Sequence, residues 1–175
     1  MSYDIRLMGD PVLRQRAAEV IDIDARIVRI VEDMIPTMYE AEGIGLAAPQ
    51  VGIQKRLFVY DIGEGAQTLV NPEIVESDGE WAFDEGCLSV PGLYFEIVRP
   101  QQIHVVGRDL DGNEVSFEAD EVLSRLIQHE LDHLDGILLI DRLSKKERKV
   151  ALKQWRELRE SVTPVHPPAG GLSLR

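Results

Sequence analysis

Cysteine is almost absent from this 175-residue sequence, in which Cys87 stands alone. A single thiol excludes an internal disulfide, so nothing points to an oxidising compartment and the thiol is free for other chemistry. Long apolar runs are missing too. No stretch reaches the roughly 18 residues that a membrane-spanning helix needs, and the opening MSYDIRLMGD lacks the basic and apolar segments of a secretory signal. A cytoplasmic location with no membrane partner is expected. Positive charge is scarce as well, since 19 Lys and Arg against 31 Asp and Glu leave a formal charge of −12. A polyanion would meet a surface of its own sign, which argues against general nucleic-acid binding.

What is present suits one globular domain: 44% of residues are hydrophobic and 29% charged. That domain is expected over residues 1–163. The last twelve residues, 164–175 (PVHPPAGGLSLR), are too rich in Pro and Gly to build a core and are expected to form a disordered tail. Charge is unevenly spread. Residues 145–160, KKERKVALKQWRELRE, hold seven Lys or Arg against three Glu, so this segment is +4 and the remainder −16.

Asp24 can cap a first helix running to about Glu42, with Ile27, Ile30, Val31, Met34 and Met38 at helical spacing. Pro36 lies inside it and predicts a kink or break near Ile35, because proline removes a hydrogen bond and crowds the preceding turn. From Arg56 to Phe117 short β-rich runs follow: RLFVYDI, TLVNPEIV, YFEIV, QIHVVGRDL and EVSFEA. GRDLDGNEVSF reads as a hairpin. Asp120 and Gly136 bound a further helix. Ser144-Lys145-Lys146-Glu147 reads as a capping box opening a last one, with Ala151, Trp155, Leu158 and Val162 as its buried side. The expected class is α+β: antiparallel β-sheets around a central metal-binding helix, with one helix towards each end of the chain.

That central helix contains QHELDH, an H-E-x-x-H pattern. Residues on a helix advance about 100° each, so His129 and His133 fall about 40° apart and both imidazoles can reach one ion. Glu130 lies on the same side. Leu123, Ile127, Leu131, Leu134 and Leu138 draw an apolar stripe around the back. Two histidines can hold a metal, and a neighbouring carboxylate can take a proton. A catalytic site needs a third ligand. Cys87 in EGCLSVPG is one candidate, although most free cysteines are small buried hydrophobes; Glu157 and Glu160 are its rivals. In GIGLAAPQ, Gly43 to Gln50, small residues admit close backbone approach and Gln50 can aim an amide at a developing oxyanion. Read alone, the same segment is a helix end with small residues packed beneath it.

In this order and roughly 40 residues apart, GIGLAAPQ, EGCLS and QHELDH resemble the three signature motifs of peptide deformylases. DPVLRQRA, VNPEI and GILLIDRLS extend the resemblance over about residues 4–160. It implies that Cys87, His129 and His133 hold one divalent ion, Fe²⁺ in the cell with Zn²⁺ or Ni²⁺ as replacements in purified protein. Glu130 then acts on the attacking water, while Gln50 and the Leu88 N–H bind the formyl oxygen. The substrate implied is the N-formylmethionyl end of a nascent polypeptide. Ile44 and Leu126 are expected to line the methionine slot, and the backbone near Gly45 to pair with the peptide. Arg99 is placed near that groove, with a solvated strand-end arginine as the plain alternative. His104 and His166 are given no ligand role. The basic segment 145–160 is a candidate ribosome-docking face. Other readings are a zincin-like metallopeptidase with Glu157 as ligand, or a non-catalytic metal-stabilised binding module.

Overall fold

The computed structural model describes residues 2–161. Helix α1, Ala25–Glu40, starts where the Asp24 carboxylate accepts from the Arg26 and Ile27 amides, both at 3.0 Å. Ile27, Val31, Met34, Thr37 and Met38 form its buried face. The helix is not broken at Pro36. Glu32, whose carbonyl loses its donor there, is exposed, so water can replace the bond. Met34 and Met38, buried on either side of the proline, hold the helix down. Burial of such side chains stabilises by about 1.5–3 kcal/mol each, comparable to the roughly 3 kcal/mol that an internal proline costs.

Seven strands follow: β1 Gly45–Ala47, β2 Leu57–Tyr60, β3 Gln67–Asp78, β4 Trp81–Gly86, β5 Tyr94–Arg99, β6 Gln102–Arg108 and β7 Glu114–Asp120. Five make an antiparallel sheet in the order β1-β2-β3-β6-β7, and β4 pairs with β5 in a separate antiparallel hairpin. The class is therefore α+β. The expected β6–β7 hairpin is present. Its turn is closed by the Asp109 carboxylate, which accepts from the Asp111 and Asn113 amides. β1 and β4 were not among the expected strands.

Helix α2, Glu121–Leu134, follows β7 directly. Asp120 occupies its N-cap position, but its side chain makes no capping bond. Gly136 closes the helix with φ +74, and a Cβ there would meet the Arg14 carbonyl oxygen at 2.7 Å. Only glycine satisfies both conditions. Helix α3, Lys145–Ser161, opens with the expected capping box, since Ser144 N–H donates to Glu147 at 3.0 Å and Glu147 N–H to Ser144 Oγ at 3.3 Å. Ala151 and Trp155 are buried, whereas Leu158 is 38% exposed and does not belong to the buried side. Val162, His166 and the proposed tail lie outside the described residues.

Three apolar clusters make up the core. One joins α1 to Leu46, Leu57, Val59 and Leu88. A second packs Cys87, Val90 and Ile97 with Leu138–Ile140 and the Ala151 and Trp155 of α3. The third sets Leu126, Ile127 and Leu134 of α2 against Phe58, Leu69 and Val105 of the large sheet. The three sequence motifs thus meet where the clusters adjoin. No helix among the described residues is long and apolar enough to cross a membrane.

Candidate active site

The β4 strand ends at Gly86, and the chain turns at once, with the Val90 amide donating to the Cys87 carbonyl at 2.9 Å. That turn brings Cys87 to the helix face bearing His129 and His133. Cys87 Sγ lies 3.2 Å from His133 Nε2, and the two imidazole centroids are 5.0 Å apart. One donor atom from each of the three residues falls within 4.8 Å of the others, all buried. A thiolate and two imidazoles are a donor set suited to a divalent transition ion. Four buried side-chain atoms among the described residues lack a hydrogen-bond partner, Gln54 Oε1, Arg125 Nε, Glu130 Oε2 and His133 Nδ1, and the last two belong to the H-E-x-x-H motif. The rival ligands are elsewhere. Glu157 is exposed and pairs with Lys153 along α3, and Glu160 is exposed as well.

His129 is held by a charge network that the sequence did not announce. His129 Nδ1 is 2.9 Å from Glu85 Oε2, which fixes Nδ1 as the N–H and leaves the Nε2 lone pair for a ligand role. Burial opposes ionisation of Glu85, but His129 and Arg99 hold its carboxyl well below the usual range. Arg99 donates to Glu85 from Nε at 2.5 Å and NH2 at 3.0 Å, and from NH1 to Asp132 at 2.9 Å. Arg99 is not a solvated strand end: it is buried, with its guanidinium spent on two carboxylates. Arg142 donates to Asp132 from the far side. Burial works against charge on His129, yet Cys87 and Glu85 beside it raise its affinity for a proton. For His133, burial and the neighbouring cations act together and lower it.

Glu130 is 1% exposed. Burial raises its carboxyl to about 7, against the opposing pull of His129. Its Oε1 occupies the space that a side chain on Gly45 would fill: a Cβ there would sit 2.5 Å away. The close approach expected of the first motif is thus made by Glu130 itself. Gln50 is also buried, its Oε1 accepting from the Ala47 amide at 2.8 Å. Its Nε2 is turned towards the cluster, 3.2 Å from Ser89 Oγ and 3.8 Å from Cys87 Sγ. Leu88 follows the cysteine and packs over Gly43. Ile44 and Leu126 share the third apolar cluster, Leu126 fully buried and Ile44 partly. His104 is remote from the cluster and bonds to Ser116 across β6–β7.

Glu85, Arg125, Asp132 and Ser89 are the site residues that sequence reading passed over. No sequence signal marks them; only the structure shows that Arg125 and Asp132 lie on a helix whose polar side is as buried as its apolar side, a placement that charged residues take only when paired.

Known proteins similar to this chain point in one direction. A family model described as polypeptide deformylase matches residues 2–149. A peptide deformylase of Clostridium botulinum is 50% identical over 143 residues, covering 82% of this chain and 97% of that protein. One from Thermotoga maritima is 45% identical over 161 residues, covering 91% and 98%. Among solved structures, a peptide deformylase from Legionella pneumophila superposes with a TM-score of 0.87 at 39% identity, over 91% of this chain and 96% of that one. Another, from Synechococcus elongatus in complex with actinonin, gives 0.84 at 42% identity over 93% and 91%.

Proposed function

The chain belongs to the polypeptide deformylase family, enzymes that remove the N-formyl group from nascent polypeptides, and from that premise we propose how its own residues perform the hydrolysis. The substrate is the formyl-methionyl end of a nascent chain, and the products are formate and a free amine. Cys87, His129 and His133 hold one divalent ion, Fe²⁺ in the cell. When bound, such an ion supplies Lewis acidity and makes water acidic enough to give hydroxide near neutral pH.

Glu130 Oε2 receives the proton from the attacking water and returns it to the departing amine nitrogen. Gln50 Nε2 and the Leu88 N–H stabilise the oxygen on which negative charge develops; losing one such donor typically costs about 10²–10³-fold in rate. The methionine side chain rests against Ile44 and Leu126. β1 pairs only with β2 among the described strands, so as an edge strand it can pair its other side with an extended peptide. The observation that carries this reading is the juxtaposition of three ligand atoms within 4.8 Å of one another and a buried carboxylate oxygen with no partner among the described residues.

The enzyme works in the cytoplasm, and α3 is its ribosome-facing surface. Lys145, Lys146, Lys149, Lys153 and Arg156 are exposed on it, on a chain that is otherwise strongly acidic. The test of the chemistry is Cys87→Ser, with formate release from a formyl-Met peptide and bound metal measured together. The variant is expected to lose both. Retention of tight metal binding and activity would return the third-ligand role to a carboxylate and favour a zincin-like site.

A further inference from the structure

Arg125 is 1% exposed and takes no part in the chemistry above. It stands one helical turn before His129 on α2, so the two side chains emerge on the same face. Both reach Glu85. Arg125 NH1 donates to Glu85 Oε1 at 2.6 Å while His129 Nδ1 lies 2.9 Å from Oε2. NH1 also donates to the Ile97 carbonyl of β5 at 2.9 Å, and NH2 donates to the Trp81 carbonyl of β4. The guanidinium lies over the Trp81 ring at 5.0 Å and the Phe83 ring at 5.8 Å, two residues apart on one face of β4. Glu85, two residues before Cys87, is fully buried.

Arg125 therefore braces the two elements that carry the ligands, each within one turn or two strand residues of the ligand itself. Resting on the metal-site reading above, we propose that Arg125 is a positioning residue: it clamps the Glu85 carboxylate to α2, and through that carboxylate fixes the His129 ring and the strand leading to Cys87. Arg99 holds both oxygens of the same carboxylate from β5 and reaches α2 through Asp132. Arg125 adds a contact to Glu85 from α2 itself. Arg125 shares a helix with His129, and the two contacts set the carboxylate's height against the ring.

A purely structural arginine would tie the hairpin down and affect stability alone, so the test separates stability from ligand geometry. The Co²⁺ form of the intact protein is prepared for wild type, Arg125→Met, Arg125→Lys and Trp81→Leu. Metal loss into a chelator is timed, and the thiolate-to-Co²⁺ charge-transfer band is recorded. Removing a residue that orients a ligand typically weakens metal holding by about 10–100-fold, and that acceleration is expected for Arg125→Met with a shifted band. Arg125→Lys, which keeps the charge without the fork, should also lose metal faster and carries the test if the Met variant does not fold. Trp81→Leu removes packing but leaves the Glu85 contact, so its melting temperature should fall while metal loss stays near the wild-type rate. Wild-type rates in both Arg125 variants, or equal acceleration in Trp81→Leu, would overturn the proposal. Failure of wild type to take up one Co²⁺ with a thiolate band would instead refute the metal site itself.

Discussion

Gly45→Ala is the smallest change that should disable Glu130 without touching it. Gly45 lies in β1 and is not among the glycines with positive φ, so alanine is tolerated by the backbone. Space is the obstacle. The new Cβ would sit 2.5 Å from Glu130 Oε1, 3.0 Å from its Cδ and 3.2 Å from its Cγ, where ordinary contact begins at 3.4 Å. The carboxylate must retreat by about 1 Å from a buried position in a packed interior. Overpacking of this kind costs about 1–3 kcal/mol of stability. A displacement of about 1 Å in a reacting group can lower the rate about 10²-fold. The assay is formate release from a formyl-Met peptide with metal content and melting temperature measured on the same preparation. kcat should fall about 100-fold with the ion retained and KM moving less. A kcat within about threefold of wild type in a metal-replete variant would refute the placement of the proton carrier against Gly45.

Leu126→Trp should fill the methionine slot and raise KM for formyl-Met peptides relative to formyl-Gly ones; unchanged discrimination would remove Leu126 from the slot. Reversing Lys145, Lys146 and Lys149 to Glu should weaken co-sedimentation with ribosomes while hydrolysis of free peptide is spared, and equal co-sedimentation would dispose of the docking face. Metal-free protein should show a particular pH dependence. Glu130 is raised from 4.5 to about 7, so between those values the native state keeps a proton that the unfolded chain releases. Its contribution is fully present below about pH 4.5 and is lost as pH rises through 7, amounting to about 3 kcal/mol. The unfolding free energy from urea titration, wild type minus Glu130→Gln, should fall by that amount across this window, and a flat difference would contradict the burial of the Glu130 carboxyl.

The parts of this protein legible in its sequence are those where one local signal decides the outcome. Asp24, Gly136 and the Ser144–Glu147 box mark helix ends through bonds to nearby backbone, and all three ends lie where expected. H-E-x-x-H works the same way, because helix geometry alone places His129 beside His133. Cys87 entered as one candidate among several, and the turn after β4 brings it to the histidines. The departures are tertiary. Pro36 suggested a break, yet packing of Met34 and Met38 carries the helix through it. β1 is three residues long and takes its strand form only by pairing with β2. Arg99, expected near the substrate groove, gave no sign of its buried ion pairs because its partners lie 14 and 33 residues away and no periodicity links them. Leu158 fits the apolar stripe of α3, but the core it would join ends at Trp155.

The central claim is that this chain hydrolyses the formyl amide with Cys87, His129 and His133 as metal ligands and Glu130 as proton carrier. It is tested most directly by measuring formate released from a formyl-Met peptide by metal-replete wild type beside metal-replete Glu130→Gln. Gln has nearly the shape of Glu but cannot accept the proton. Wild type should release formate over many turnovers, while the variant, holding the same amount of metal, should release almost none. Comparable rates from the two proteins, or no formate from wild type, would contradict the account.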